Sequence, residues 1–428
     1  MQIAYFTAGA AGMYCGSCLH DNALAKALIR LGHDCMLLPT YTPIRTDEKD
    51  ISSDQLFFGG LNVYLQQMSP LFRWLPKWAD SFLSSPRLVN WIASRSMGTT
   101  ADKLGALTVS MLKGSHGHQA KEVSRLCDWL EKESPDVVVF SNLLIAGCIP
   151  EIRRRLGCPS AVILQGDDIF YDGLSEPYRG QAMTELRRLA KDVDRFVVNS
   201  QDYGERMQEM LGFSDAQLAV SPLCLDTSDF EKLDKRGSIE QTPTIGYLAR
   251  LAPEKGLDIL IDAFLELAGK DSQVHLKIAG WLGDQNQDYW SEQQGKLSAA
   301  GLSDRYQYVG EVDREGKLEF LRSIDVLSVP TPYLEPKGLF VLEALAAGVP
   351  YLQPAHGAFP EIHERLGGGQ LFPPESASVL ADGLAQMLAD RAALRELGAA
   401  GRTNVLQFAS SRQEAERFSE ILGELVQP

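Results

Sequence analysis

The sequence lacks features that would mark a membrane-bound, secreted or nucleic-acid-binding protein. No apolar run reaches the roughly 20 residues that a membrane-spanning helix needs. Met1 runs directly into the strand-like segment IAYF without a basic leader, so we expect a cytoplasmic protein. Positive charge is scarce, because 41 Lys and Arg face 56 Asp and Glu and give a formal net charge of -15. This balance argues against a nucleic-acid partner, since phosphate backbones are bound by clustered cations.

Cysteine is too sparse for a disulfide framework. Seven cysteines are spread over 428 residues, and we expect most of them to be reduced thiols in the core. Cys15 and Cys18, followed by His20, have the spacing of half a metal or redox site. The other half is missing, because the one further close pair, His116 and His118, lies in the glycine-flanked GSHGH. We therefore predict no bound metal and favour small residues beside a cleft at this point.

A dinucleotide fingerprint is also absent. Glycines 9, 12 and 16 lie between a predicted strand, Ile3 to Thr7, and a predicted helix, Cys18 to Leu31. Their spacing is not G-x-G-x-x-G, and no acidic residue is placed to bind a ribose. The sequence therefore argues against an NAD site, and we predict no cofactor.

The chain is long enough for two domains with full cores, at 45% hydrophobic and 23% charged residues. Strand-like and helix-like segments alternate through both halves, which predicts parallel α/β sheets. A polar, charged stretch, DTSDFEKLDKRGSIEQTP, separates the halves. We therefore predict a first domain over 1–225, a linker over 226–243 and a second domain over 244–407.

The stretch from Thr331 to Pro350 has the strongest functional pattern. The apolar run Ile324 to Val329 predicts a buried strand before it, and Leu339 to Ala347 predicts a helix within it. The backbone amides around Gly338 and Leu339 would then lie at a helix N-terminus, where unpaired donors and the helix dipole favour a phosphate. We expect an anion site there.

Two glutamates bracket this predicted anion site. Glu335 lies in the loop, and Glu343 lies in the helix, roughly 7 Å further along the axis at about 1.5 Å per residue. The spacing suits a nucleotide diphosphate, with Glu343 binding the two ribose hydroxyls and Glu335 meeting the group on the far phosphate. A surface loop with two solvated glutamates explains this loop equally well.

Two cations follow the first predicted strand of the second domain. Arg250 and Lys255 come after the strand Thr244 to Leu248. The carboxyl ends of parallel strands meet at one edge of a sheet, so both cations should face the same crevice as the Gly338 loop. Two cations beside a helix N-terminus suit a diphosphate.

The pattern Glu335, seven residues, Glu343, followed by AAGVP, resembles the donor-binding signature of the retaining glycosyltransferases of family four. The resemblance implies the GT-B fold, in which two Rossmann-like, doubly wound α/β domains face each other across a cleft. It implies that Glu335 lies by the donor sugar, that Gly338 and Leu339 bind the diphosphate, and that Glu343 holds the ribose.

The resemblance implies roles for further residues. Arg250 and Lys255 match the diphosphate clamp of the family, and with Glu335 they are the predicted catalytic residues. Gly16 matches the second glycine of the amino-terminal donor loop, and the turn from Gly310 to Val312 matches the base-binding turn. Where many relatives carry a histidine near the donor sugar, this sequence has Gln165, which can hydrogen-bond but cannot carry a proton.

The function implied is a metal-independent, retaining hexosyltransferase. A nucleotide-diphosphate sugar would be its co-substrate, and the acceptor would be a hydroxyl on a saccharide, a lipid-linked group or a small molecule. A nucleotide-sugar epimerase of the same fold remains open, because it would need the same donor clamp. A non-catalytic binding protein also remains open, since Gln165 and the segment SPLCLD depart from the family pattern.

Two amphipathic segments complete the prediction. Residues 71–92 interleave Trp and Phe with Arg and Lys, which fits a helix covering the first sheet or a weak membrane-surface contact for a lipid-linked acceptor. The resemblance implies that a last helix, 408–428, crosses back to the first domain. Phe408, Ala415, Phe418 and Ile421 would form its packing face.

Overall fold

The computed structural model describes residues 1–9, 16–53, 57–58, 66–67, 101–233, 242–270, 273–374 and 376–426. The chain forms two compact units, as expected. The first unit comprises Met1–Asn199, Tyr203–Ser221 and Ala415–Pro428, and the second comprises Ser200–Asp202 and Pro222–Glu414. The segment 71–92, on which the membrane-surface prediction depends, lies outside the described residues.

The described residues form two six-stranded parallel sheets, one in each unit. The strands of the first sheet are β1 Gln2–Thr7, β2 Asp34–Pro39, β3 Val137–Phe140, β4 Ser160–Ile163, β5 Arg195–Val198 and β6 Leu218–Val220. The strands of the second sheet are β7 Thr244–Leu248, β8 His275–Ala279, β9 Tyr306–Tyr308, β10 Val326–Leu327, β11 Tyr351–Pro354 and β12 Gly369–Phe372. Two such doubly wound sheets confirm the predicted α/β class.

Helices alternate with the strands. Up to the end of the first sheet they are α1 Gly16–Arg30, α2 Ala101–Leu112, α3 Ala120–Glu133, α4 Ile149–Leu156, α5 Asp167–Asp172, α6 Tyr178–Ala190 and α7 Gln201–Leu211. The later helices are α8 Ser228–Glu231, α9 Leu257–Lys270, α10 Gln287–Ala299, α11 Arg314–Arg322, α12 Leu339–Ala346, α13 Phe359–Leu366, α14 Ala377–Ala389, α15 Arg391–Phe408 and α16 Ser411–Val426. Within the described ranges, no helix is long and apolar enough to cross a membrane.

The strands of the first sheet bury both of their faces. Ile3 and Tyr5 point into the core that α1 and α16 cover, whereas Ala4 and Phe6 point into the core on the other face. Successive side chains of a strand alternate between faces, and a parallel sheet is covered by helices on both sides. This explains why these strands read as continuous apolar runs.

Strand order determines where each unit can bind a ligand. The first sheet has the order β2-β1-β3-β4-β5-β6, so the chain leaves β1 for β2 on one side and returns to β3 on the other. The second has the order β12-β11-β10-β7-β8-β9, with the same reversal between β7 and β10. Loops diverge at such a switch point and leave a crevice at the carboxyl ends of the strands. The loops after β7 and β10 carry the predicted donor-binding residues.

The predicted linker, 226–243, is wrong in its first part. Helix α8 forms within it, and Phe230 is fully buried in the core of the second unit. The chain passes between the two units at Ser221 and Pro222, before the predicted start of the linker. A single aromatic residue in a charged run was the signal that this part of the chain packs.

The prediction of one helix starting at Phe408 is also wrong. Phe408 ends α15 and is 49% exposed, whereas α16 begins at Ser411. The amide of Ser410 donates to Oε1 of Gln413 at 3.0 Å, as in a capping box, and S-x-x-Q is a recognisable helix start in the sequence. Ala415, Phe418 and Ile421 are buried in the core of the first unit, as expected for the packing face.

Six of the seven cysteines fall within the described residues, and all six are buried free thiols, as predicted. Burial raises the pKa of Cys35, Cys127 and Cys158 to about 12. These thiols are therefore protonated and unreactive at neutral pH.

Candidate active site

The loop between β10 and α12 ends in a glycine that the fold requires. Gly338 has φ of 70° and immediately precedes Leu339, the first residue of α12. A Cβ atom at Gly338 would lie 2.9 Å from Cδ1 of Ile362, so both the backbone and the packing disfavour a larger residue. The amide of Gly338 donates to Oε1 of Glu335 at 3.3 Å. The carboxylate of Glu335 therefore lies at the N-terminus of α12, where the helix dipole favours negative charge.

Glu335 forms a buried ion pair with Lys255. Nζ of Lys255 lies 2.6 Å from Oε2 of Glu335, whose residue is 5% exposed. Burial would raise the pKa of Glu335, but the charge and hydrogen bond of Lys255, the amide of Gly338 and the charge of Lys337 outweigh it and lower that pKa. Glu335 is therefore ionised at neutral pH. The structure thus joins two of the predicted catalytic residues, which come from opposite sides of the switch point.

Arg250 lies in the same β7 loop as Lys255 and is more exposed. A guanidinium nitrogen of Arg250 lies 3.0 Å from Oε1 of Glu254, and its side chain is 36% exposed. The hydroxyl of Tyr247 donates to the carbonyl of Arg250 at 2.9 Å and so fixes the backbone where the strand ends. An exposed pair of this kind adds little stability and leaves the guanidinium accessible to an incoming phosphate.

Glu343, the predicted ribose ligand, is paired with a lysine that the sequence reading missed. Nζ of Lys317 lies 2.7 Å from Oε1 of Glu343, and the two side chains are 11% and 7% exposed. Lys317 belongs to α11, on the face that also buries Phe320 and Leu321. A lysine at an apolar position of an amphipathic helix was the sequence signal for a buried partner.

The predicted base-binding turn follows β9. Gly310 has φ of 83°, and its carbonyl accepts a hydrogen bond from the amide of Gly280 at 2.9 Å. This bond ties the ends of β8 and β9 together. Val312 packs partly buried against the core, and α11 with Lys317 begins two residues later. One short segment thus carries both the turn and the lysine that contacts Glu343.

The first unit contributes two predicted donor-binding residues. Gly16 is the exposed first residue of α1, and a Cβ atom there would meet nothing within 4 Å. Packing against the residues of the first unit that the structure describes therefore gives no reason for a glycine at position 16. Cys15, which replaces the first glycine of the family loop, lies outside the described residues.

Gln165, the other predicted donor contact, is buried at the end of β4. Its side-chain nitrogen lies 3.0 Å from Oδ1 of Asp21 and 2.8 Å from the carbonyl oxygen of Ser141. Its side-chain oxygen lies 3.3 Å from Nδ1 of His20. The carboxamide thus contacts α1 and the end of β3, and the expectation that Gln165 also contacts the donor sugar stays a prediction.

Two aspartates follow Gln165 at the same edge of the sheet. Asp167 is buried and accepts hydrogen bonds from the amides of Leu143, at 2.7 Å, and Gln165, at 3.1 Å. Burial raises the pKa of Asp167 to about 7, and the two amide bonds oppose this rise. Asp168 accepts a hydrogen bond from the hydroxyl of Tyr203 at 2.9 Å. Asp167 therefore ties the ends of β3 and β4 together.

In the described part of the chain, no group of three or more His, Cys, Asp or Glu side chains is arranged to hold a metal ion. Cys18 and His20 are both buried on α1, and Nδ1 of His118 lies 2.9 Å from Oε1 of Gln67. The prediction that no metal binds stays a prediction.

Two family models match successive parts of the chain. The model described as a glycosyl transferase 4-like domain matches residues 22–224, and the model described as glycosyl transferases group 1 matches residues 229–404. The chain belongs to the group 1 glycosyltransferases. The matches meet near the passage between the two units.

Curated relatives cover part of this family member. A phosphatidyl-myo-inositol mannosyltransferase of Mycobacterium leprae is 31% identical over 166 residues, which are 39% of this chain and 42% of that enzyme. A GDP-mannose-dependent alpha-(1-6)-phosphatidylinositol monomannoside mannosyltransferase of Mycobacterium tuberculosis is 28% identical over 234 residues, which are 52% of this chain and 59% of that enzyme. The chain spans about half the length of the curated relatives it matches.

Solved structures resemble the whole chain. Sucrose-phosphate synthase from Thermosynechococcus elongatus has a TM-score of 0.69 at 19% identity and covers 99% of both chains. The Anabaena HepE protein in complex with UDP and glucose has a TM-score of 0.68 at 17% identity and covers 99% of this chain and 100% of that one. At such low identity the likeness concerns the fold, and it confirms the predicted two-domain GT-B fold.

Proposed function

We propose that this family member is a retaining glycosyltransferase that moves a hexose from a nucleotide-diphosphate sugar to a hydroxyl acceptor without a metal ion. The observation that carries the proposal is the cluster at the switch point of the second sheet. There Lys255 meets Glu335 beside the N-terminus of α12, and Glu343 lies one turn further along the same helix. This arrangement suits a nucleotide diphosphate better than a neutral ligand.

The diphosphate would bind among the cations and the helix N-terminus. A lysine ammonium has three donors, so Lys255 can keep its bond to Glu335 and still donate to a phosphate oxygen. Arg250 can exchange its exposed bond to Glu254 for a phosphate. When the bond from the sugar to the phosphate breaks, negative charge grows on the leaving diphosphate, and these donors stabilise it in the transition state.

Glu335 and Glu343 would bind the two ends of the donor. Glu335 is ionised beside the diphosphate site and would accept hydrogen bonds from hydroxyls of the transferred sugar. Glu343 would accept hydrogen bonds from the two ribose hydroxyls, since it lies on α12 whereas Glu335 lies in the loop before that helix. Gly310 and Val312 would contact the base through their backbone.

Retention follows if the leaving phosphate itself removes the proton from the acceptor. The acceptor oxygen then forms a bond to the anomeric carbon on the face that the phosphate leaves, and the proton moves to a phosphate oxygen. This step needs no enzymatic nucleophile. The cations and amides supply the charge stabilisation that a divalent ion supplies in other sugar transferases, which is the argument for metal independence.

The relatives suggest where to look for donor and acceptor. Their names include GDP-mannose-dependent enzymes and acceptors that contain inositol. We therefore propose GDP-mannose as the first donor and inositol-containing hydroxyl compounds as the first acceptors to be tried. Saccharide and other small-molecule acceptors follow.

The test is incubation of the full chain with UDP, GDP and ADP sugars, in the presence and absence of the acceptor candidates. Release of the nucleotide diphosphate and the anomeric configuration of the product are measured. An α-linked product from an α-linked donor supports the proposal, and inversion at the anomeric carbon overturns the retaining mechanism. Conversion of the sugar into an epimer would instead support the epimerase alternative.

A further inference from the structure

The loop after β7 carries two cations, and each of them is paired with a glutamate. Lys255 pairs with Glu335 at 2.6 Å, and the two side chains are 13% and 7% exposed. Nζ of Lys255 also lies 5.2 Å from the centre of the Tyr333 ring. Separating a buried pair leaves an uncompensated charge in the interior, so this pair stays together when a ligand binds.

The pair of Arg250 and Glu254 differs from it in exposure. One guanidinium nitrogen of Arg250 lies 3.0 Å from Oε1 of Glu254, and the two side chains are 36% and 32% exposed. Among the residues that the structure describes, neither side chain makes another hydrogen bond or ion pair. A single contact at this exposure contributes little stability, so the guanidinium can leave Glu254 for a more highly charged anion.

The main chain on both sides of this exposed pair is fixed. The hydroxyl of Tyr247 donates to the carbonyl of Arg250 at 2.9 Å. After Glu254 the chain turns at Gly256, where φ is 67° and a Cβ atom would lie 2.0 Å from the carbonyl oxygen of Pro330. A change of partner at Arg250 therefore involves the two side chains and leaves the loop in place.

The charge of the ligand decides how strongly it draws the guanidinium away. In a nucleotide sugar, each phosphate of the diphosphate carries one negative charge. When the sugar leaves, the terminal phosphate gains a further ionisable oxygen, and such a group has a pKa of roughly 6. At neutral pH the released nucleotide diphosphate therefore carries about one negative charge more than the donor.

We infer that Glu254 determines which ligand Arg250 binds, because its carboxylate competes with the phosphates for the guanidinium. Glu254 holds Arg250 while the less charged donor is bound, and yields it when negative charge grows on the leaving diphosphate. The contact of Arg250 is thus reserved for the transition state and the product. Glu254 then takes Arg250 back and so favours release of the product. The inference deepens the proposed function and rests on it for the ligand.

The first experiment measures the affinity of the full chain for nucleotide diphosphates by isothermal titration. UDP, GDP and ADP are tested, and those that the wild type binds are titrated into E254Q, which keeps the side-chain size and removes the charge. We expect about fivefold tighter binding by E254Q, since the guanidinium no longer has to leave a carboxylate.

D262N is the matched control for the loss of one negative charge. Asp262 of α9 pairs with Lys296 at 2.8 Å, and the two side chains are 46% and 32% exposed. This variant breaks a similarly exposed ion pair of the same unit and should bind nucleotide diphosphates as the wild type does. Thermal melting without ligand should give the same melting temperature for E254Q and the wild type.

The second experiment asks whether Glu254 acts through Arg250. R250A should bind the nucleotide diphosphate more weakly than the wild type, and R250A/E254Q should bind it no better than R250A. Added salt should reduce the advantage of E254Q over the wild type, because salt screens the exposed ion pair that E254Q removes.

The third experiment compares product and donor. For the nucleotide sugar that the wild type consumes, the inhibition constant of the released nucleotide diphosphate should fall about fivefold in E254Q. The KM for the donor should change by less than about twofold, because the donor carries less charge to draw Arg250 away. A purely structural role of Glu254 predicts no such split between the two constants.

The outcomes separate this inference from the proposed function. Equal or weaker binding of the nucleotide diphosphate by E254Q overturns the competition, and an undiminished gain in R250A/E254Q overturns the action through Arg250. Equal tightening of donor and product overturns the discrimination between them. All three results leave the proposed function standing. A wild type that binds no nucleotide diphosphate and consumes no donor overturns the proposed function, and this inference with it.

Discussion

Nζ of Lys317 and Oε1 of Glu343 are 2.7 Å apart, and both side chains are almost enclosed. The lysine is the buried counter-ion of the proposed ribose ligand. A buried carboxylate that loses its partner must either take up a proton or remain as an unpaired charge. Under the proposed function, Lys317 therefore positions Glu343 for the ribose hydroxyls.

We predict that K317M destabilises the protein by about 3 kcal/mol, because it leaves Glu343 buried without a counter-ion. It should also weaken nucleotide diphosphate binding about tenfold, or roughly 1.4 kcal/mol. Thermal melting and isothermal titration measure the two effects. The double variant K317M/E343Q should regain much of the stability, since no charge is left unpaired, but not the affinity. Wild-type affinity in K317M would contradict the positioning role of Lys317.

A second prediction concerns the pair of Lys255 and Glu335. K255A should lower kcat/KM by a factor that corresponds to about 3 kcal/mol, because the ammonium stabilises charge that grows on the leaving diphosphate. R250A should have an effect of the same order. K270A is the control, since Lys270 pairs with Asp382 at an exposed surface site. Unchanged turnover in both K255A and R250A would remove the clamp assignment.

A third prediction separates strain from packing at the start of α12. G338A should lower stability by about 2 kcal/mol or more and weaken nucleotide binding. Alanine is strained at the positive φ of this position, and its Cβ atom would lie too close to Ile362. G348A is the matched control at the other end of the same helix, with φ of 74° and its nearest atom 3.9 Å away. It should cost backbone strain alone and leave nucleotide binding intact. Equal binding by G338A and the wild type would show that the loop does not hold the phosphates.

Metal independence gives a fourth prediction. Activity should survive excess EDTA, because the proposed charge stabilisation comes from Arg250, Lys255 and backbone amides. Turnover is measured after chelation and again after addition of manganese or magnesium. A loss that either ion restores would reject the metal-free mechanism.

The second sheet shows how much of the site was readable in the sequence. The helix predicted over Leu339 to Ala347 is observed as Leu339–Ala346, because an uninterrupted apolar run and a preceding glycine define its start. Arg250, Lys255 and Glu335 were readable because they follow strands that end at one edge of a sheet. Sequence position alone thus places residues on loops that the parallel topology then brings together.

The side chains that pair with the predicted site residues could not be predicted from the sequence in the same way. Lys317 lies 26 residues before Glu343, and Asp21 lies 144 residues before Gln165. Such pairs form only when the chain has folded and the register of the sheet is fixed. Local patterns in a single sequence do not show which distant residues will then be in contact. Gln165 is an example: its residue type suggests a sugar contact, but its bonds to Asp21 and to the carbonyl of Ser141 appear only in the folded structure.

The last prediction concerns Asp167. Burial raises the pKa of this carboxyl group from its ordinary value of 3.8 to about 7. Between these two values the folded state keeps a proton that the unfolded state has lost, so the stability of the first unit should fall as pH rises from about 4 to 7. Above pH 7 both states are ionised and this contribution is constant.

D167N removes this titration, so the stability of the wild type relative to D167N should fall by about 2 kcal/mol between pH 5.5 and 7.5. Native-state hydrogen exchange in β3 and β4 measures the opening free energy of this sheet separately from the second unit, which a single melting curve cannot do. The other titrating groups are common to both proteins, so they cancel in the comparison. A pH-independent difference between wild type and D167N would show that Asp167 is already ionised across this range and that the amides of Leu143 and Gln165 outweigh its burial.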